Sequence, residues 1–350
     1  MSGFPEGRGL LSEHMAVWFV ILLSAVFSSG CISSPPESGW RLFHYAQPRM
    51  GSDFVVKFYA PDEAVARRAA AEVFERVDVL NGIFSDYEPE SELSRLTGQP
   101  AGQPVKTSLE LFSILQRGQM LARETDGAFD ITIGPYTQLW RESRRQKRLA
   151  VAEELQAAGR VAGHKKLQLD PNGPNVTCLV PNMRLDLGGI AKGWAADEAL
   201  AVLSRHGIHR ALCAASGDFA IGGPPPGRDG WSVKIPTLDQ QGNLYERTFR
   251  LSDCAVSTSG DMFQFVEIGG HRYSHIVDPR TGVGLTNRVM VTVIAVKARE
   301  TDCQATAISV LGMEKGMQHA DNNGLAVIIT PLDGENRRPR ISREWRRRFE

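Results

Sequence analysis

Apolar residues recur along this chain with two different periods, and the changes from one to the other lay out its elements. From Phe54 to Ala60 (FVVKFYA) the density of Val and aromatic residues predicts a strand. From Ala64 to Phe84, Val65, Ala69, Val73, Val77 and Leu80 return every three or four residues, which predicts an amphipathic helix. Leu109 to Thr125 predicts a second helix, with Ser108 placed to cap it. Residues 141–166 are basic and rich in Ala, and read as exposed helix and loop. A Gly188-Gly189 turn precedes a helix from Lys192 to His206, and a strand is expected from Ala211 to Phe219. Residues 222–230 (GGPPPGRDG) form a loop. Strand patterns then alternate to Val296, VMVTVIAV being the strongest, and a helix begins near Glu300. Strands and helices mix without a regular βαβ rhythm, which predicts an α+β fold rather than a doubly wound sheet.

The N-terminus carries a different signal. Met15 to Phe27 (MAVWFVILLSAVF) is apolar and uncharged, and Ser28, Ser29, Gly30 and Cys31 follow. At 1.5 Å per residue this run is short for a hydrocarbon core of about 30 Å, and fits the apolar region of a secretory signal. Small residues directly before a cysteine resemble a lipobox, which makes Cys31 the expected lipidation site. Ser28 stands where that pattern prefers Leu, and an uncleaved signal anchor is the alternative. The expected organisation is a signal over 1–30, a lipidated tether over 31–48, one globular domain over 49–332 and a basic tail over 333–350. The segment RRPRISREWRRRFE is expected to be a solvated tail, with contact to anionic lipid or a partner as the alternative.

Composition changes this picture little. Forty basic residues balance forty acidic ones, so nothing in the charge suggests a nucleic-acid partner. Cys178, Cys213, Cys254 and Cys303 show no CxxC pair and no metal-ligand spacing, and leave one disulfide open.

Four segments carry candidate chemistry. In LDLGGIAKGWAAD (from Leu185), glycines before a helix start allow close approach to anionic oxygens, and Lys192 in the first turn asks for an anion nearby; a tight strand-to-helix turn is the plainer reading. In ETDCQATAISVLG (from Glu300), Asp302 and Thr306 share one helical face as hard oxygen ligands for Mg²⁺, or else Asp302 simply caps the helix. In RYSHIVDPRTG (from Arg272), His275 and Asp278 are either an oriented base or a structural pair. STSGDMF (from Ser257) is a hydroxyl-rich turn able to donate to a phosphate or ring edge.

The order and spacing of these segments resemble the ApbE family of flavin transferases. The pattern reads MGSDF (from Met50), FSDYEPESELSRL (from Phe84), TDGAFDITIGPYTQLW (from Thr125), LDLGGIAKGWAAD, ASGDFAIGG (from Ala215), STSGD, YSHIVDPRTG and TDCQATAISVLG. It runs from about Met50 to about Ile329. The resemblance implies a T-fold-like architecture of two α/β modules with FAD in the cleft between them. It implies FAD contacts at Met50, Tyr87, Ala128, Phe129, Asp130, Asp186, Lys192 and Ile276, with Tyr87 and Phe129 offering flat faces to the isoalloxazine. It implies Mg²⁺ at Gly189, Asp302 and Thr306. The implied reaction moves FMN from FAD to a threonine of an exported electron-transport flavoprotein, with His275 as base oriented by Asp278. The chain departs from the pattern at Ser216, where Gly is common, at Lys192, where some relatives have Glu, and at Gly98, where Asn is frequent. Two other functions use the same flavin site: an Mg²⁺-dependent FAD pyrophosphatase, and a lipid-anchored FAD-binding protein without catalysis.

Overall fold

The computed structural model describes residues 39–239, 241–260, 264–334 and 337–350. The expected signal and the Cys31 lipidation site lie outside the described residues. The chain opens with strands β1 (Arg41–Arg49) and β2 (Ser52–Ala60) and helix α1 (Glu63–Phe84). Then come α2 (Glu92–Thr97), β3 (Val105–Lys106), α3 (Leu109–Glu124), α4 (Gly134–Gln146) and α5 (Ala152–Val161). Short strands β4 (Leu167–Leu169) and β5 (Asn175–Cys178) lead to α6 (Ala191–Arg205), β6 (Ala211–Ala215) and β7 (Asp218–Ile221). The next strands are β8 (Trp231–Leu238), β9 (Leu244–Leu251), β10 (Cys254–Gly260), β11 (Phe265–Ile268), β12 (His271–Ser274) and β13 (Val289–Ala295). Helix α7 (Ala298–Asn322), β14 (Ala326–Pro331), β15 (Arg340–Ile341) and α8 (Arg343–Phe349) complete the chain.

Eight strands form one antiparallel sheet in the order β1-β2-β6-β7-β10-β13-β14-β15. The expected α+β class is what the strands and helices make. The two halves of the sheet, each with a helix layer, join where β7 pairs with β10 and Asp218 stands opposite Ser257. Period-two burial along β2 sends Phe54, Val56, Phe58 and Ala60 to one face, where they meet Val73, Val77 and Leu80 of α1. The run in β13 is buried on both sides, which explains its unbroken apolar character. Val291 and Val293 meet Ile308 of α7, while Ile294 belongs to the opposite face.

That opposite face corrects the reading of the C-terminus. Trp345 of α8 is 1% exposed and packs with Phe249 of β9, their rings 5.5 Å apart, over Leu212, Val256 and Ile328 of the sheet. Ser342 caps α8 by accepting the Trp345 amide (3.2 Å), and its hydroxyl also donates to the Leu325 carbonyl (2.6 Å). The arginines of this segment sit on the outer side of a folded element, so 340–349 is part of the domain and not a solvated tail. Likewise β1 takes residues 41–49 into the sheet edge, shortening the expected tether. The four described cysteines are free. No helix among the described residues is long and apolar enough to cross a membrane.

Candidate active site

The crossing of α6 and α7 sets the site. A Cβ at Gly193 would fall 2.1 Å from the Ala298 carbonyl oxygen, so the two helices meet backbone to backbone only because this residue has no side chain. Asp197 of α6 caps α7 across this contact, accepting the amides of Ala298 (2.9 Å) and Arg299 (3.2 Å). Asp302 is therefore not the cap of its own helix. It lies inside α7, 4% exposed, and its Oδ2 accepts the Gly193 amide at 2.9 Å. One turn later Thr306 reaches the Gly188-Gly189 turn: a Cβ at Gly189 would lie 3.2 Å from Thr306 Oγ1 and 3.2 Å from the Phe129 ring. Gly189, Asp302 and Thr306 thus converge at the N-terminus of α6, the positive end of the helix dipole, although its Ala191 and Gly193 amides are already taken by the Leu187 carbonyl (2.9 Å) and Asp302 (2.9 Å).

Lys192, in the first turn of α6, has its ammonium 3.8 Å from Asp218 Oδ2. Burial pulls this ammonium down, but Asp218, Asp302 and Asp186 outweigh it and hold it above its ordinary range. Asp218 is 5% exposed, and burial with the nearby Asp302 raises its carboxyl well above normal despite Lys192 and the Ser257 hydroxyl. Burial raises Asp302 as well, against the pull of Lys192 and the Gly193 amide. Two buried acids share one lysine, an excess of negative charge that a divalent cation would relieve. No cluster of three or more His, Cys, Asp or Glu able to hold a metal occurs among the described residues. The donors present are a carboxylate, a hydroxyl and a backbone carbonyl, hard oxygens that suit Mg²⁺ completed by water and substrate phosphate.

These groups open into a cavity of about 400 Å³ at the junction of the two halves of the sheet. Its apolar floor holds Ala128, Ile276 and Val310, which pack together. Phe129 also lines it but is only 5% exposed, so it supports the Gly-Gly turn more than it offers a face. Tyr87, 72% exposed, stands at the mouth with the Arg141 guanidinium over its ring at 4.0 Å. Arg141 is held by Asp86 (2.6 Å) and Asp186 (3.3 Å), and Asp186 Oδ1 also accepts the Gly188 amide at 2.8 Å. Asp130 spends its carboxylate on the Thr132 amide and hydroxyl (2.8 and 2.7 Å) and the His164 amide (2.8 Å), fixing the loop that carries Phe129. Ser257–Gly260, expected as a turn, is the end of strand β10, and Thr258 to Gly260 line the cavity; Asp261 to Phe263 lie outside the described residues.

Two expected placements change. Met50 sits in the β1–β2 turn, packed against the main core and outside the cavity lining. Asp278 does not orient His275. Its carboxylate is engaged by Arg280, through the amide (2.9 Å), Nε (2.8 Å) and Nη2 (2.7 Å), because an arginine two residues on reaches it within the same turn. His275 itself lines the cavity, with Nδ1 3.2 Å from the Gln264 carbonyl oxygen. Donation from Nδ1 to that carbonyl makes Nε2 the basic nitrogen. The sequence alone assigns no role to Asp86, Arg141, Arg144 or Asp218; Asp86 and Asp218 stand inside the family segments FSDYEP and ASGDF, whereas Arg141 and Arg144 lie beyond them.

Fold and cavity together define an α+β protein that presents a helix N-terminus, hard oxygen donors and an apolar floor to one ligand, the make-up of a phosphate-handling enzyme. The chain belongs to the ApbE family, whose model matches residues 50–329. It is 31% identical over 323 residues to an FAD:protein FMN transferase of Vibrio cholerae, covering 90% of this chain and 93% of that relative. A Treponema pallidum protein of the same name is 30% identical over 290 residues, covering 79% and 80%. Among solved structures, the flavin transferase ApbE from Vibrio cholerae superposes with a TM-score of 0.81 at 28% identity, covering 88% of this chain and 99% of that one. The apo flavinyl transferase ApbE of Pseudomonas stutzeri gives 0.80 at 28% identity, covering 89% and 97%.

Proposed function

We propose that this chain is an Mg²⁺-dependent FAD:protein FMN transferase that attaches FMN to a threonine hydroxyl of an acceptor protein and releases AMP. The relatives that share its length carry that name. The observation that supports it most is the convergence of Gly189, Asp302 and Thr306 beside Lys192, in one cavity with His275. FAD is the substrate: its diphosphate meets the α6 N-terminus, its ring the apolar floor and Tyr87.

Asp302, Thr306 and the Gly189 carbonyl would hold Mg²⁺, which would supply neutralisation of negative charge at the diphosphate. The residues of the chain do the rest. His275 Nε2 takes the proton of the acceptor hydroxyl as its oxygen attacks the phosphorus on the FMN side. The bond from that phosphorus to the bridging oxygen breaks, and its electron pair leaves with AMP. Lys192, held protonated by three carboxylates, places a fixed positive charge beside these oxygens.

The location belongs to the same proposal. Lipidation at Cys31 would hold the domain at the periplasmic face of a bacterial membrane, where exported electron-transport flavoproteins supply the acceptor threonine. The motivation is the apolar run Met15–Phe27 followed by Ser28 to Cys31.

Purified His275→Ala is expected to bind FAD as the parent does and to transfer FMN about 10²–10⁴-fold more slowly. Asp302→Ala is expected to lose the response of transfer to added Mg²⁺. Following FMN fluorescence on the acceptor after denaturing electrophoresis checks both. Parent-like transfer by His275→Ala removes the base, and an unchanged Mg²⁺ response in Asp302→Ala removes the metal site.

A further inference from the structure

One wall of the cavity is a stripe along α4, in which Ile133 and Thr137 are followed by Trp140, Arg141 and Arg144 at helical spacing. The two arginines differ in how their charge is spent. Arg141 is bound by Asp86 and Asp186. Arg144 is half-buried on the cavity side, yet among the described residues no carboxylate or carbonyl takes a hydrogen bond or ion pair from it. Its charge lies near Tyr87: burial raises that phenol, and Arg141 and Arg144 oppose the rise. The helix does not require Arg144 to face inward. Arg145, beside it in the same last turn, already places a cation there and pairs with Glu142 on the outside.

The charge of the cavity shows what such an arginine is for. Asp86, Asp130, Asp186, Asp218 and Asp302 line it; Asp130 is satisfied by Thr132 and the His164 amide, and Lys192 and Arg141 answer the others. An entering diphosphate therefore meets a wall whose cations are already committed to protein acids. We propose that Arg144 is a binding residue for the anionic diphosphate of the dinucleotide, acting from the α4 wall of the cavity that the Gly188-Gly189 turn and Lys192 also line. The assignment rests on the FAD reading above. A guanidinium presents paired N–H donors in a plane, the geometry that two phosphate oxygens accept, and a half-buried cation with no partner among the described residues loses little in turning to them.

Titration calorimetry of the full chain in Mg²⁺ buffer with FAD, ADP and riboflavin tests this, comparing the parent with Arg144→Gln and Arg144→Lys. Arg144→Gln is expected to weaken FAD and ADP by about ten- to a hundredfold and to leave riboflavin, which has no phosphate, unchanged. Arg144→Lys is expected to recover part of the loss, since it keeps the charge and gives up the fork. Parent-like affinity of Arg144→Gln for FAD and ADP would overturn the assignment. So would a loss of riboflavin affinity in step with FAD, which would put Arg144 on the ring. Failure of the parent itself to bind FAD would instead overturn the reading on which the assignment stands.

Discussion

Ser216 holds φ at 53°, in the left-handed region that costs a residue with a side chain about 1–2 kcal/mol. With Gly217 at φ 95° it makes the two-residue turn between β6 and β7, and both positive angles suit the mirror-image turn of a tight hairpin. A glycine, which the resemblance leads one to expect at this position, would adopt the positive φ of Ser216 without strain. Ser216→Gly is expected to raise unfolding stability by up to about 1 kcal/mol, once the extra freedom of glycine in the unfolded chain is set against the relief. A thermal midpoint at or below the parent's would contradict this. Other residues divide by the range of their partners. Asp302 and Thr306 were legible as a pair because helical spacing alone puts them on one face. Their surroundings were not, since the acid that caps α7 is Asp197, about a hundred positions earlier. Separation in sequence also hides the role of Arg141, whose partners Asp86 and Asp186 come from two loops distant along the chain. His275 was legible as a candidate base, but its pairing with Asp278 was misread because Arg280 competes from within the same turn.

Among the elements, helices with clear apolar stripes were readable to within a residue or two: α1, α3 and α6 begin and end close to their expected bounds. The expected strand from Ala211 to Phe219 is two strands, because a reading of apolar density passes over the turn at Ser216. Helix α8 reads as tail in the sequence because four of its seven residues are arginines, which mask its two inward residues, Trp345 and Phe349, four apart on one face. The crossing of α6 and α7 is the element contact on which the site depends. Gly193→Ala forces a methyl to 2.1 Å from the Ala298 carbonyl oxygen and 2.8 Å from Asp302 Cβ. Separation of the helices is expected to cost about 3 kcal/mol, the upper end for overpacking, and to abolish the Mg²⁺ response by displacing Asp302. Chemical denaturation and a metal titration check the two parts, and parent-like values in both would show that the contact is not tight.

At the scale of the molecule, the long antiparallel sheet is scaffolding for its own middle. The outer strands β1 and β15 lie far from the junction in strand order, while β7 and β10 bring Asp218 and the Thr258–Gly260 strand end to the cavity. Helices on one face supply the α6 N-terminus and the oxygens of α7. The β8–β9 ribbon and α8 close the other face, freeing the first for chemistry. The α+β class followed from the mixed periodicities, whereas the strand order did not, since pairing joins residues such as Phe54 and Ala215 that local pattern cannot connect. The central claim is that this one cavity moves FMN from FAD to a protein hydroxyl and not to water. The direct test incubates residues 39–350 with FAD, Mg²⁺ and an acceptor fragment bearing a target threonine, then weighs the acceptor intact and measures AMP. One FMN gained per AMP released, both abolished by EDTA, is the expected result. AMP and free FMN beside an unmodified acceptor would contradict it and make the protein a pyrophosphatase, and FAD left intact throughout would make it a binding protein.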